Sequence, residues 1–125
     1  MNVYVDTANG TFAIDLETEE VEPADRFEPE QAAVDLPRVV AAARSGSTIV
    51  AAVDASPPLL VSHDAGATWR ESGRGLPHPR GVAITDDDPD LIAFASRNRV
   101  HVSRDGGRFW TALAVELPEI RAIAF

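Results

Sequence analysis

Three arginines stand at matching places along the chain. Arg38, Arg80 and Arg121 are separated by 42 and 41 residues, and each is followed by a small apolar run, such as Val39-Val40-Ala41-Ala42 or Ala122-Ile123-Ala124-Phe125. A guanidinium is permanently charged and presents a planar fork of donors, so it suits a carboxylate, a sulfate or an acidic chain terminus. No turn or strand requires a long cation, so its recurrence at one position marks the three as the candidate ligand-binding set. The other titratable residues give no comparable pattern. His63, His78 and His101 share no metal-ligand spacing. The run Asp86-Asp87-Asp88-Pro89-Asp90 lacks the spaced oxygens, central glycine and terminal glutamate of a calcium loop and reads as a solvated turn. The absence of cysteine excludes disulfides, thiolate metal sites and a cysteine nucleophile. No phosphate loop or nucleophile elbow is present. The expectation is no catalytic residue, no metal and no cofactor.

The 125 residues are 45% apolar and 25% charged, which suits one globular domain. Eight glycines and nine prolines suit many short elements joined by tight turns better than a few long helices. A formal net charge of −9 argues against nucleic acid and anionic membrane as partners. All 11 basic residues are arginine beside 20 acids, a balance that fits salt adaptation and biased base composition equally. Met1 to Asp6 shows neither the basic nor the apolar region of a signal peptide, and no apolar run is long enough to cross a bilayer. A cytoplasmic location is expected.

The elements that must position the arginines follow from an internal repeat. Ser62-His63-Asp64-Ala65-Gly66-Ala67-Thr68-Trp69 matches Ser103-Arg104-Asp105-Gly106-Gly107-Arg108-Phe109-Trp110 at a spacing of 41, with Ser, Asp, Gly and Trp coinciding. Leu-Pro follows each copy, at Leu76-Pro77 and Leu117-Pro118, and also stands one period earlier at Leu36-Pro37. Each period reads as four short strands: Val39–Ala43, Thr48–Val53, Leu59–Ser62 and Thr68–Glu71, then Val82–Thr85, Leu91–Ala95, Arg99–Ser103 and Phe109–Leu113. Four antiparallel strands in a period of this length make a propeller blade. The chain ends on a first strand, 121–125, and begins with second and third strands, Asn2–Asp6 and Thr11–Asp15. Joining the ends gives a third blade. The expected division is one domain, 1–125, with blades at 37–72 and 79–113, a composite blade from 118–125 plus 1–22, and an exposed connection over 23–36.

Ser-x-Asp-x-Gly-x-Thr-Trp resembles the Asp-box, or bacterial neuraminidase repeat, of sialidases, sortilin-type receptors and photosystem assembly factors. Ser62, Asp64, Gly66, Thr68 and Trp69 fit at every defined position. Ser103, Asp105, Gly107 and Trp110 fit with Phe109 where threonine is usual, and Asp15-Leu16-Glu17-Thr18 is at most a degenerate remnant. The resemblance covers residues 36 to 125 and implies that these residues are structural and peripheral. Their chemistry agrees: the carboxylates can accept backbone N–H bonds across a turn, the glycines permit positive φ, and the tryptophans can bury their rings against neighbouring strands. Sialidase catalysis would need an arginine triad, a tyrosine nucleophile with a glutamate partner, and an acid/base; the single tyrosine, Tyr4, sits in a strand with no such constellation. The resemblance also implies channel-face arginines, which adds weight to Arg38, Arg80 and Arg121.

About three blades cannot close a propeller, which typically has four to eight. The offset ends suggest that the first strand at 121–125 of one chain joins Asn2–Asp15 of another, so that a homodimer makes a six-bladed ring. The alternative is a piece of a longer protein. The expected function is a non-catalytic binding or scaffold module whose partners are itself and a small anion or acidic peptide. The competing reading is a remnant of a sialidase-like glycoside hydrolase, active, if at all, as an oligomer.

Overall fold

A computed structural model describes residues 1–125. It contains twelve strands and no helix: β1 (Asn2–Thr7), β2 (Gly10–Asp15), β3 (Val21–Pro23), β4 (Val39–Ser45), β5 (Thr48–Val53), β6 (Leu59–Ser62), β7 (Arg70–Ser72), β8 (Gly81–Ile84), β9 (Ile92–Ala95), β10 (Val100–Ser103), β11 (Thr111–Ala112) and β12 (Ile120–Ala124). They form three four-stranded antiparallel sheets of propeller-blade type: β4-β5-β6-β7 (blade I), β8-β9-β10-β11 (blade II) and β12-β1-β2-β3 (the composite blade). No helix is long and apolar enough to cross a membrane.

The strands are short because polar turns interrupt β-branched and alanine-rich runs every few residues. The inner strands β5, β9 and β10 are buried along their whole length, because a blade packs on both faces. The outermost strands are briefer than the residue pattern suggests. β7 begins at Arg70 rather than Thr68, and β11 keeps only Thr111 and Ala112. The residues before them are spent on the turn, whose backbone N–H groups bond to an aspartate instead of to a strand.

Pairing alternates the faces of each blade. In blade I the row Ala43–Val50–Val61 faces blade II, and the row Ala42–Ala51–Leu60 faces away. The first set joins Val82, Ile84, Ile92 and Phe94 of blade II in one core. The opposite face of blade II, with Ala83, Ala93 and Val102, meets Val3, Val5, Ile14 and Ile123 of the composite blade in a second core. Blade II therefore sits in the middle of an open arc. At its start Gly81 lets β12 approach closely; a Cβ there would lie 3.2 Å from Ile123 Cγ2.

Two expectations are corrected here. Strand β12 pairs with β1 of its own chain, Tyr4 opposite Ala124 and Val5 opposite Ile123, so the composite blade forms without strand exchange. An intramolecular partner is held at high effective concentration, which favours it over a strand from another molecule. The connection is also not simply exposed. Pro23 belongs to β3, and Ala32, Val34 and Leu36 lie half-buried on the outward face of blade I, where Ala32 N–H donates to the Ala42 carbonyl at 3.0 Å.

Phe94 is fully buried between the blades, stacked on His101 (centroids 4.4 Å apart, planes 5° from parallel) and edge-on to Trp110 at 5.2 Å. Replacing Phe94 with alanine should cost about 3–5 kcal/mol, as for other large-to-small aromatic truncations. Urea unfolding monitored by tryptophan fluorescence will measure it.

Candidate functional site

The repeated turns organise one end of each blade. In the first, Asp64 accepts from the Thr68 N–H at 2.8 Å, the Thr68 hydroxyl at 2.5 Å and the Ser62 hydroxyl at 2.8 Å. In the second, Asp105 accepts from the Ser103 hydroxyl at 2.7 Å and from the Arg108 and Phe109 N–H groups at 3.1 and 3.0 Å. Gly66 and Gly107 carry the positive φ that closes each turn, at 92° and 93°. The Ser62 and Ser103 hydroxyls accept from these glycines' N–H groups. Asp15 makes a smaller version of the turn, accepting from the Glu17 and Thr18 N–H groups. These bonds to the ionised form hold all three carboxyls below their ordinary range; Asp64, helped most by the Thr68 side chain, falls from 3.8 to about 2.

Both tryptophans are half-buried rather than enclosed. Each follows the turn at the outer rim of its blade, where one side of the ring has no further strand to cover it. Trp110 nevertheless spans two blades: its Nε1 donates to Ser72 Oγ of blade I at 2.9 Å, and the Ser72 hydroxyl donates to the Gly107 carbonyl. The turn is thus a clamp between blades as well as within one.

The arginines lie at the opposite end. Arg38 precedes β4 with a left-handed backbone, φ 61°, its carbonyl accepting from Asp54 N–H. Arg80 precedes β8, and Arg121 is the second residue of β12. All three are exposed, at the starts of the three first strands. Arg38 and Arg121 form no ion pair, while Arg80 lies 3.3 Å from Glu119.

Residue spacing did not reveal the company of Arg80. A cleft of about 420 Å³ brings it together with Arg97, Arg99, Ser96, Asn98 and His101. Arg97 Nε is 3.8 Å from Glu119, and Arg99 pairs with Glu116 at 2.9 Å. Three guanidiniums thus face two carboxylates, a local positive excess in an acidic protein. His101 is buried beside them, 3.3 Å from Ser96 Oγ, with its Nδ1 unpartnered. Burial, and then the charge of Arg99, lower its pKa. Arg97 and Arg99 belong to the short β9–β10 turn, whose counterparts in the other blades, 54–58 and 8–9, carry no arginine, so the repeat could not point to them. His63 lies in the first repeated turn with Nδ1 3.4 Å from Thr48 Oγ1, and exposed His78 stands 3.9 Å from Asp54. The acidic run is an exposed turn capped by Thr85 and Asp88.

No family model matches this chain, and no curated protein matches it. Among solved structures it is similar to a GH74 enzyme of Niastella koreensis, a β-propeller, with a TM-score of 0.51 and 22% identity over 93% of this chain. The chain spans 18% of that enzyme's length. The likeness is one of fold.

The lowered Asp64 pKa gives a signed pH dependence. A carboxyl whose folded pKa lies below its unfolded value stabilises the fold above about pH 4, and that stability is lost as pH falls towards 2. Asp64→Asn should therefore unfold at lower urea than the parent at pH 7, and the two midpoints should converge near pH 2. Parallel urea titrations at the two pH values will check this.

Proposed function

We propose that the chain is a non-catalytic binding or scaffold module that takes an anion at the arginine-bearing end of its blades. The observation that carries this reading is the placement of Arg38, Arg80 and Arg121 at the same end of successive first strands, with Arg97 and Arg99 enlarging the set around Arg80. Close like charges repel unless offset. Glu116 and Glu119 offset part of that charge, and a carboxylate, a sulfate or an acidic peptide terminus would offset the remainder. The hydrogen-bonded turns at Asp64 and Asp105 support the resemblance to the Asp-box repeat and a structural role for its residues. A cytoplasmic location completes this reading.

A second reading, a piece of a propeller glycoside hydrolase, draws on the likeness to the GH74 enzyme. Glycosidases need a carboxylic acid of raised pKa. The carboxyls with shifted titration here, Asp15, Asp64 and Asp105, are all lowered and all committed to turns. Fluorogenic glycoside turnover, abolished by removing one carboxylate, would reverse the choice.

Arg80→Ala should weaken succinate or sulfate binding roughly tenfold, the worth of one charge-assisted hydrogen bond, with an unchanged circular dichroism spectrum. Calorimetry at low ionic strength reads this directly; no binding by the parent protein would refute the anion site.

A further inference from the structure

A second polar cleft, of about 310 Å³, lies at the outer rim of the junction between blades I and II. One wall is β7 with the residues that follow it, Arg70 to Arg74, and the other is the second repeated turn, Gly106 to Arg108. Arg70, Arg74 and Arg108 all line it. None of the three has a carboxylate within ion-pair distance; the arginine ion pairs of the protein are those of Arg80, Arg97 and Arg99.

The strand register explains why these arginines stand without acids. Arg70 lies opposite Val61 and so continues the row Ala43–Val50–Val61, which faces blade II. Glu71, the one acid along the cleft, lies opposite Leu60, and strand alternation carries its side chain to the other face. Asp105 directs its carboxylate to the Ser103 hydroxyl and to the backbone N–H groups of Arg108 and Phe109. Glycine brings the two walls together. A Cβ on buried Gly107 would lie 3.0 Å from Val61 Cγ2, so the turn can rest on blade I only without a side chain there. The Ser72 hydroxyl then donates to the Gly107 carbonyl and accepts from Trp110 Nε1 at 2.9 Å, which fixes the floor of the cleft.

The arginines themselves stand outside the repeat. One period of 41 residues away, the positions of Arg70, Arg74 and Arg108 hold Thr111, Val115 and Ala67. A blade therefore folds without a cation at any of these places, and packing gives no reason for three to converge.

We propose that this cleft is a second anion site, distinct from the one around Arg80, and that it takes the phosphoryl group of a small phosphate monoester or diphosphate. Guanidiniums gathered without a partner repel one another. A carboxylate brings one charge and two oxygens, whereas a phosphoryl group brings up to two charges and three strong acceptor oxygens, enough to engage forks from both walls. The volume lies at the small end of ligand pockets, roughly 300–1,000 Å³, which suits a compact ligand. The inference is independent of the anion reading at the opposite end of the blades.

Trp110 makes the test local, because its indole N–H bonds to the floor of the cleft. The two tryptophans give two indole signals in a proton–nitrogen NMR spectrum, and Trp69→Phe identifies that of Trp110. Inorganic phosphate or pyrophosphate, at slightly alkaline pH and low ionic strength, should shift the Trp110 signal saturably; acetate at matched ionic strength should not. Arg70→Gln and Arg108→Gln, both at exposed positions, should each weaken binding about tenfold and together abolish the shift, with an unchanged circular dichroism spectrum. Arg80→Ala should leave this titration as it is. The proposal is overturned by the absence of a saturable shift, by an equal response to acetate, or by a shift that survives the double substitution. Phosphate binding that only Arg80→Ala removes would overturn it as well, while leaving the first site standing.

Discussion

A four-stranded blade with apolar side chains on both faces must have both faces covered. The whole architecture follows from that constraint. Blade II meets it, and for that reason β9 and β10 contain no exposed residue. Burying a Phe or Ile side chain contributes roughly 1.5–3 kcal/mol relative to exposure, so the two junctions lined by Phe94, Ile92, Ile120 and Ile123 hold most of the available apolar stabilisation. The turns add direction to this non-directional term. Trp110, Ser72 and Gly107 tie one blade to the next through hydrogen bonds at the rim, fixing where the faces meet.

The two ends of each blade divide the work. At one end, Asp64 and Asp105 convert charge into local order by accepting N–H groups that the short outer strands leave unpaired. At the other end, charge is left available. Arg38 and Arg121 have no acidic partner, and Arg80, Arg97 and Arg99 share two glutamates among three guanidiniums. The aspartates of the repeated turns and these arginines thus sit at opposite ends of the blades.

Much of the fold was legible because a propeller repeats its sequence with its structure. The inner strands follow from apolar runs such as Thr48–Val53, which the structure reproduces residue for residue. Outer strands were less legible: they contain few apolar residues, and the turn claims their first positions. The alternation Ala32-x-Val34-x-Leu36 marks a strand-like segment with one covered side, yet the Pro and Glu around it suggest exposure. Pairing of the chain ends was legible as a missing first strand, but pattern alone is indifferent to whether that strand comes from the same molecule. Arg97 and Arg99 were hidden because the matching turns of the other blades carry no arginine. Only the geometry shows that they converge on Arg80.

The composite blade joins residues more than a hundred positions apart. Until Ile120–Ala124 is synthesised, β1 has an unpaired inner edge, and Val3, Val5 and Ile14 have no complete surface to pack on. Blades I and II are made of neighbours in sequence and can form while the chain is still growing, whereas β1 must wait for β12. A bare strand edge exposed for that interval is a template for misassociation. Polar Asn2 and Asp6 interrupt the apolar residues along it. Synthesis of Ile120–Ala124 is therefore the step that closes the clasp, and slowing it would lengthen the time during which this edge is unguarded.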